Sequence, residues 1–83
     1  MYRAKLASSR VEKELDRIPS SHFGKVDAVI LSLQENPRPR GAKKLGKDKY
    51  RVRVGNYRVL YWVDDKHKIV VIAKVKHRRE SYR

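Results

Sequence analysis

The chain contains no cysteine, and only one phenylalanine, one tryptophan and one methionine among its 83 residues. Without cysteine neither a disulfide framework nor a thiolate metal site can form, and a reducing cytoplasm is the expected compartment. Long apolar runs are missing too. The longest aliphatic stretch, Ile69 to Ala73, is far short of the roughly 20 residues that span a bilayer, and the N-terminus is charged where a signal segment would be apolar. No membrane partner is expected. His22, His67 and His77 are scattered without helical pairing and no carboxylates cluster, so no metal is expected. Neither a phosphate-binding glycine loop nor a dinucleotide fingerprint is present, and no cofactor is expected.

Acidic side chains are scarce in one half of the chain. Residues 1–37 hold six basic and five acidic side chains, a net +1, whereas residues 38–83 hold sixteen basic and four acidic, a net +12. A field of one sign opposes compaction and attracts polyanions, so nucleic acid or an acidic protein is the expected partner. The basic residues do not line one face of an amphipathic helix, which argues against a membrane surface.

The length fits one domain over residues 1–83. Tyr2-Arg-Ala-Lys-Leu6 alternates like a half-exposed strand. Ser9 and Glu12 have capping-box spacing, and Val11, Leu15 and Ile18 recur at helical intervals as far as Pro19. Ser20 or Ser21 can cap a second helix whose stripe is Phe23, Val26, Val29, Ile30 and Leu33, ending at Asn36-Pro37. Pro37 to Lys49 reads as a basic loop. A hairpin follows, then an Asp64-Asp65 turn, and then the β-branched segment Ile69 to Val75, apolar enough to lie inside a sheet. The expected fold is α+β, in the order β-α-α-β-β-β, with a mainly antiparallel twisted sheet and both helices on one face.

The hairpin Tyr50-Arg-Val-Arg-Val-Gly-Asn-Tyr-Arg-Val-Leu-Tyr-Trp-Val63 is the most informative segment. With Gly55-Asn56 supplying the positive backbone dihedrals of a two-residue turn, Val54 faces Tyr57, Arg53 faces Arg58 and Arg51 faces Leu60. That register puts Arg51, Arg53 and Arg58 on one side, with Tyr50, Val52, Val54, Tyr57, Val59, Tyr61 and Val63 on the other as core. Like charges facing across a ladder cost ~0.2–1 kcal/mol per pair, so opposed arginines imply an anion between them. Arginine suits phosphate because its planar fork donates two parallel charge-assisted bonds. Lys43 or Lys44 and Arg78 can extend the patch. His77 and Tyr82 of the tail can both move protons. Trp62 would serve equally as a base-stacking platform or as part of a partner's docking surface.

The hairpin, the tail Val75-Lys-His-Arg-Arg-Glu-Ser-Tyr82 at its distance from the hairpin, and the element order together resemble the RelE/ParE superfamily of toxins from bacterial and archaeal toxin–antitoxin pairs. The resemblance covers essentially the whole chain. It implies a ribosome-dependent endoribonuclease that cuts messenger RNA in the A site by 2′-hydroxyl attack, without metal, leaving a 2′,3′-cyclic phosphate. Arg51, Arg53 and Arg58 would hold phosphates, Arg78 would stabilise the phosphorane, and Tyr82 would move the proton, with His77 as alternative. Lys43, Lys44, Lys47, Lys49 and Arg79 would bind the RNA of message or ribosome. The implied partners are the ribosome and a RelB-like antitoxin with an acidic or amphipathic segment, the free toxin being monomeric. RelE proteins that cleave well often carry lysine at the positions of Arg51 and Arg53, and arginine cannot exchange protons near neutrality. Losing acid–base help costs ~10²–10⁴-fold, against ~10²–10³-fold for an electrostatic donor. A ParE-like gyrase inhibitor or a non-catalytic RNA-binding module would share the fold.

Overall fold

The computed structural model describes residues 1–79. Strand β1 (Arg3–Leu6) leads into helices α1 (Ser9–Asp16) and α2 (Ser20–Glu35). Strands β2 (Lys43–Gly46), β3 (Lys49–Val54), β4 (Tyr57–Asp64) and β5 (Ile69–His77) then complete one five-stranded sheet in the order β1-β5-β4-β3-β2. β1 runs parallel to β5, and every other pairing is antiparallel. Both helices pack on one side of the sheet, burying Val11, Ile18, Val26, Ile30 and Leu33 against Tyr50, Val52, Val59, Tyr61, Val63, Val70, Ile72 and Val75. β5 lies inside the sheet, as its apolar run requires.

The hairpin register matches expectation residue for residue, with Val54 opposite Tyr57, Arg53 opposite Arg58 and Arg51 opposite Leu60. The turn differs in one respect. Gly55 takes a φ of 59°, but Asn56 stays out of the positive region, so only the first central position is left-handed, as in a type II′ turn.

Four local expectations fail. The segment Pro37 to Lys49 is not all loop: Lys43–Gly46 forms β2, pairing with β3 around an irregularity at Leu45. Lysines along an edge strand project into water and disrupt the alternation by which strands are usually recognised. The Ser9–Glu12 capping box does not form, because Ser9 is already helical and the N-cap is Ser8, in extended conformation without a side-chain cap bond. In α2, Pro19 holds the N-cap position, so Ser20 and Ser21 sit within the first turn. Phe23 remains 38% exposed and lies outside the core.

The sheet edge near β1 is closed by side chains from the helices. At the end of α2, the Gln34 carbonyl accepts from Tyr2 N–H at 2.8 Å, and Gln34 Oε1 accepts from Ala4 N–H at 3.1 Å. β1 stops opposite Ile72, and beyond it the buried Glu14 of α1 takes over, its Oε1 accepting from Val75 N–H at 2.9 Å. Its Oε2 lies 2.7 Å from Lys76 Nζ. A carboxylate thus replaces the missing strand and fixes the end of β5.

Candidate functional site

Side chains alternate across a strand, so the register defines what shares the open face. Arg53, Arg58 and Lys76 form one cross-strand row. Lys43, Arg51, Leu60 and Lys74 form the next. Lys49, Trp62 and Val71 form a third. The first two rows therefore gather six basic residues from four strands, with Lys43 of β2 and Lys74 and Lys76 of β5 joining the three hairpin arginines. Lys74 and Lys76 were not anticipated, although their alternation with Val75 carries the signal.

Arg78 completes the cluster from outside the sheet. Its N–H donates to the Asn56 carbonyl at 2.6 Å, pinning the residue after β5 to the hairpin turn. Arg53, Arg58 and Arg78 thereby line one hollow of about 50 Å³ together with Gly55, Asn56 and Tyr57. A positive φ at Gly55 lets the chain reverse tightly enough to bring Arg53 and Arg58 into register at its rim. Three guanidiniums around such a hollow offer several donors to one tetrahedral anion.

His77 lies elsewhere. It pairs with Tyr57 and meets that ring edge-on, with centroids 5.1 Å apart and planes at 90°. Its Nδ1 accepts from Arg79 N–H at 3.2 Å. Because Tyr57 packs against the core, His77 is on the helix side, across the sheet from the arginine rows. Arg79 borders a separate tail cleft with Asn56, His77 and Arg78. Lys43 stands on the arginine face, whereas Lys44, opposite Tyr50, does not, and Lys47 is exposed in the β2–β3 turn. Lys49 Nζ sits 4.4 Å from the centre of the Trp62 ring, covering part of an aromatic that is 43% exposed. Tyr82 lies outside the described residues.

The carboxylates are held at the other end of β4. Arg38 forks onto Asp65, with Nη1 donating to Oδ1 at 3.1 Å and Nη2 to Oδ2 at 2.7 Å, while its Nε donates to the Tyr50 hydroxyl at 2.9 Å. The Tyr2 hydroxyl also donates to Asp65. The Arg38 bonds, followed by that of Tyr2, lower the Asp65 pKa to about 2, and the Asp65 and Tyr50 bonds raise that of Arg38. Asp64 accepts from the backbone and ring of His67 and is likewise lowered. At ~3.3 Å per strand residue, these acids stand about 20 Å from Arg58, beyond a Debye length in physiological salt. Among the described residues, no three His, Cys, Asp or Glu side chains come together in a metal-binding group.

Comparison with known proteins agrees with this fold. The family model for the ParE toxin of type II toxin-antitoxin system, parDE, matches residues 5–82. Toxin RelG of Mycobacterium tuberculosis is 50% identical, over 92% of this chain and 91% of its own. The archaeal RelE–RelB complex from Pyrococcus horikoshii contains a chain that superposes with a TM-score of 0.80 at 33% identity, covering 93% of this chain and 94% of that one. A chain of the toxin–antitoxin complex RelBE2 from Mycobacterium tuberculosis gives 0.79 at 30% identity, covering 93% and 98%.

Proposed function

Because the chain belongs to the RelE/ParE superfamily of type II toxin–antitoxin toxins, we propose that it is an endoribonuclease that cuts messenger RNA in the ribosomal A site. The observation that carries this reading is the hollow shared by Arg53, Arg58 and Arg78 at the hairpin turn. The 2′-oxygen of a ribose attacks the adjacent phosphorus, the bond from phosphorus to the 5′-oxygen breaks, and a 2′,3′-cyclic phosphate remains. Arg51, Arg53 and Arg58 hold the scissile and neighbouring phosphates, and Arg78 faces the charge that builds on the phosphorane. The reaction needs no metal in this reading.

Proton transfer falls to Tyr82, since arginine stays protonated and His77 is on the helix side of the sheet. The toxin acts in the cytoplasm and is restrained by a RelB-like antitoxin, as the RelE of Pyrococcus horikoshii occurs in complex with RelB. An acidic or amphipathic segment of that antitoxin would cover the arginine rows. Lys43, Lys49 and Arg79 add contacts to the RNA of message or ribosome.

Mapping message ends by primer extension after expression without antitoxin tests the proposal. Codon-phased cuts are expected, and Arg58→Ala and Arg78→Ala should each reduce them by ~10²-fold or more with the fold intact. Undiminished cutting in both variants would remove the site. The match to a ParE toxin model favours one alternative, a gyrase poison. DNA damage with intact messages would establish that reading instead.

A further inference from the structure

A cleft of about 740 Å³ lies between α1 and the end of β5 and shares no residue with the arginine hollow. Arg10, Lys13 and Arg17 line it from α1, and Lys74 and Lys76 from β5. Positions 10, 13 and 17 recur at helical spacing, so they make one basic stripe. Glu12 and Asp16 fall on another side of the helix, and Val11, Leu15 and Ile18 on the side that meets the sheet. Glu14 is the one acid lining the cleft, and it is buried, occupied by Val75 N–H and Lys76. In the N-terminal half, whose net charge is only +1, half of the six basic residues thus converge on one wall.

The cleft does not stand alone. A smaller cavity of about 70 Å³ takes Glu14 and Arg17 from its rim, together with Tyr57 and His77. Tyr57 in turn borders the hollow of Arg53, Arg58 and Arg78. The linings share residues from one to the next, from Arg10 past Arg17 and the end of β5 to the hairpin turn, with Arg17 the only arginine or lysine of the middle cavity.

We propose that the α1–β5 cleft binds the ribose–phosphate backbone of base-paired ribosomal RNA, as a docking surface with no part in the chemistry. This rests on the reading of the chain as an RNA-cutting toxin. Two features select a nucleic-acid backbone over an antitoxin segment. Ala73 is the only apolar residue in the lining, leaving no anchor for the apolar side chains that dominate protein interfaces. No aromatic side chain lines the cleft, so it offers phosphate contacts without base stacking, which suits a base-paired ribosomal RNA and not a single-stranded message.

The test uses the full chain and two probes, a short 2′-O-methyl oligoribonucleotide that cannot be cut and small ribosomal subunits without message. Binding is measured against salt for the native chain, for the triple variant Arg10→Ala, Lys13→Ala, Arg17→Ala, and for a control removing the same charge elsewhere, Lys25→Ala, Arg40→Ala, Lys66→Ala. Each lost phosphate contact should reduce the log–log salt slope by ~0.7–0.9, so the cleft variant should lose about 2 to 3 and the control clearly less. Arg10→Ala alone should lose about one contact's worth, which keeps the test alive if the triple variant melts early. Loss on subunits supports the cleft, whereas loss on the oligonucleotide alone would assign the surface to the message and overturn the proposal. Equal slopes for the cleft and control variants overturn it, as does weakened antitoxin binding with RNA slopes intact. A native chain that cuts no message yet shows cleft-dependent slopes removes the nuclease reading alone.

Discussion

Arg38 and Arg58 carry the same group near opposite ends of one sheet, yet their settings differ. Arg38 forks onto Asp65 and bonds the Tyr50 hydroxyl, so its charge is spent on joining the loop after α2 to the β4–β5 turn. Arg58 stands across the ladder from Arg53 on one side and Lys76 on the other, beside Arg78. Arg38 is thus committed to joining two loops, whereas in the proposed reading Arg53, Arg58 and Arg78 take phosphate at the hairpin turn. Net charge alone would not separate the two.

The largest expected effect comes from abolishing this difference. Arg53→Glu would set a carboxylate opposite Arg58, so the cross-strand pair changes from repulsive to attractive. Message cutting should fall by ~10²-fold or more, while the melting temperature rises by a few degrees, because opposite charges across a ladder contribute ~0.2–1 kcal/mol. Opposite movements of activity and stability are the signature to look for. A variant that loses both would mean that Arg53 supports the fold.

Next in size is Glu14, whose role concerns the frame that presents Arg78. Glu14→Ala would strip the acceptor from Val75 N–H in a buried setting. An unsatisfied buried donor costs ~1–3 kcal/mol, and thermal melts should show a fall of roughly 10 °C. Glu14→Gln keeps an acceptor and should recover much of the loss. If alanine and glutamine behave alike, the hydrogen bond to β5 is not what Glu14 supplies.

A smaller effect is expected at Tyr61, which is 1% exposed and donates to the Pro37 carbonyl at 2.8 Å. Burial pushes its pKa up to about 12, so the phenol is neutral under ordinary conditions. Tyr61→Phe leaves that carbonyl without its donor and should cost ~1 kcal/mol in denaturant melts. No change in message cutting is expected, since Tyr61 faces the core.

Strand register and the arginine face were legible because period-two alternation and one turn glycine fix both together. A slip by one residue would have turned Val52, Val59 and Val63 outward. The interaction of Arg38 with Asp65 was not legible: the two are separated by 27 positions, and in sequence Arg38 is one more cation in a basic loop. Glu14 escaped for a related reason. A glutamate in an amphipathic helix reads as solvated, and only the early end of β1 gives it a backbone N–H to satisfy. β2 was hidden because Lys43-Lys-Leu-Gly lacks alternation, so its pairing is decided by the open edge of β3. For the proposed nuclease, His77 and Arg78 are neighbours in sequence with different surroundings, since one pairs with Tyr57 in the ladder and the other leaves it at the hairpin turn.

The smallest effect tests the structural end of the comparison through pH. The carboxyl of Asp65 titrates at about 2, below the usual ~3.9. Its contribution to stability is therefore fully present above about pH 4 and is lost as pH falls through about 2. Both partners of the ion pair are well exposed, so the contribution is modest and screened by salt. Asp65→Asn should melt slightly below the native chain at neutral pH, with the gap closing between about pH 4 and pH 2. RNA binding at neutral pH should stay near the native level, because the substitution lies about 20 Å along β4 from Arg58 at ~3.3 Å per residue. A gap that persists unchanged through acid would show that Asp65 acts by shape and not by charge. A large change in RNA binding would show that the two ends of the sheet are coupled.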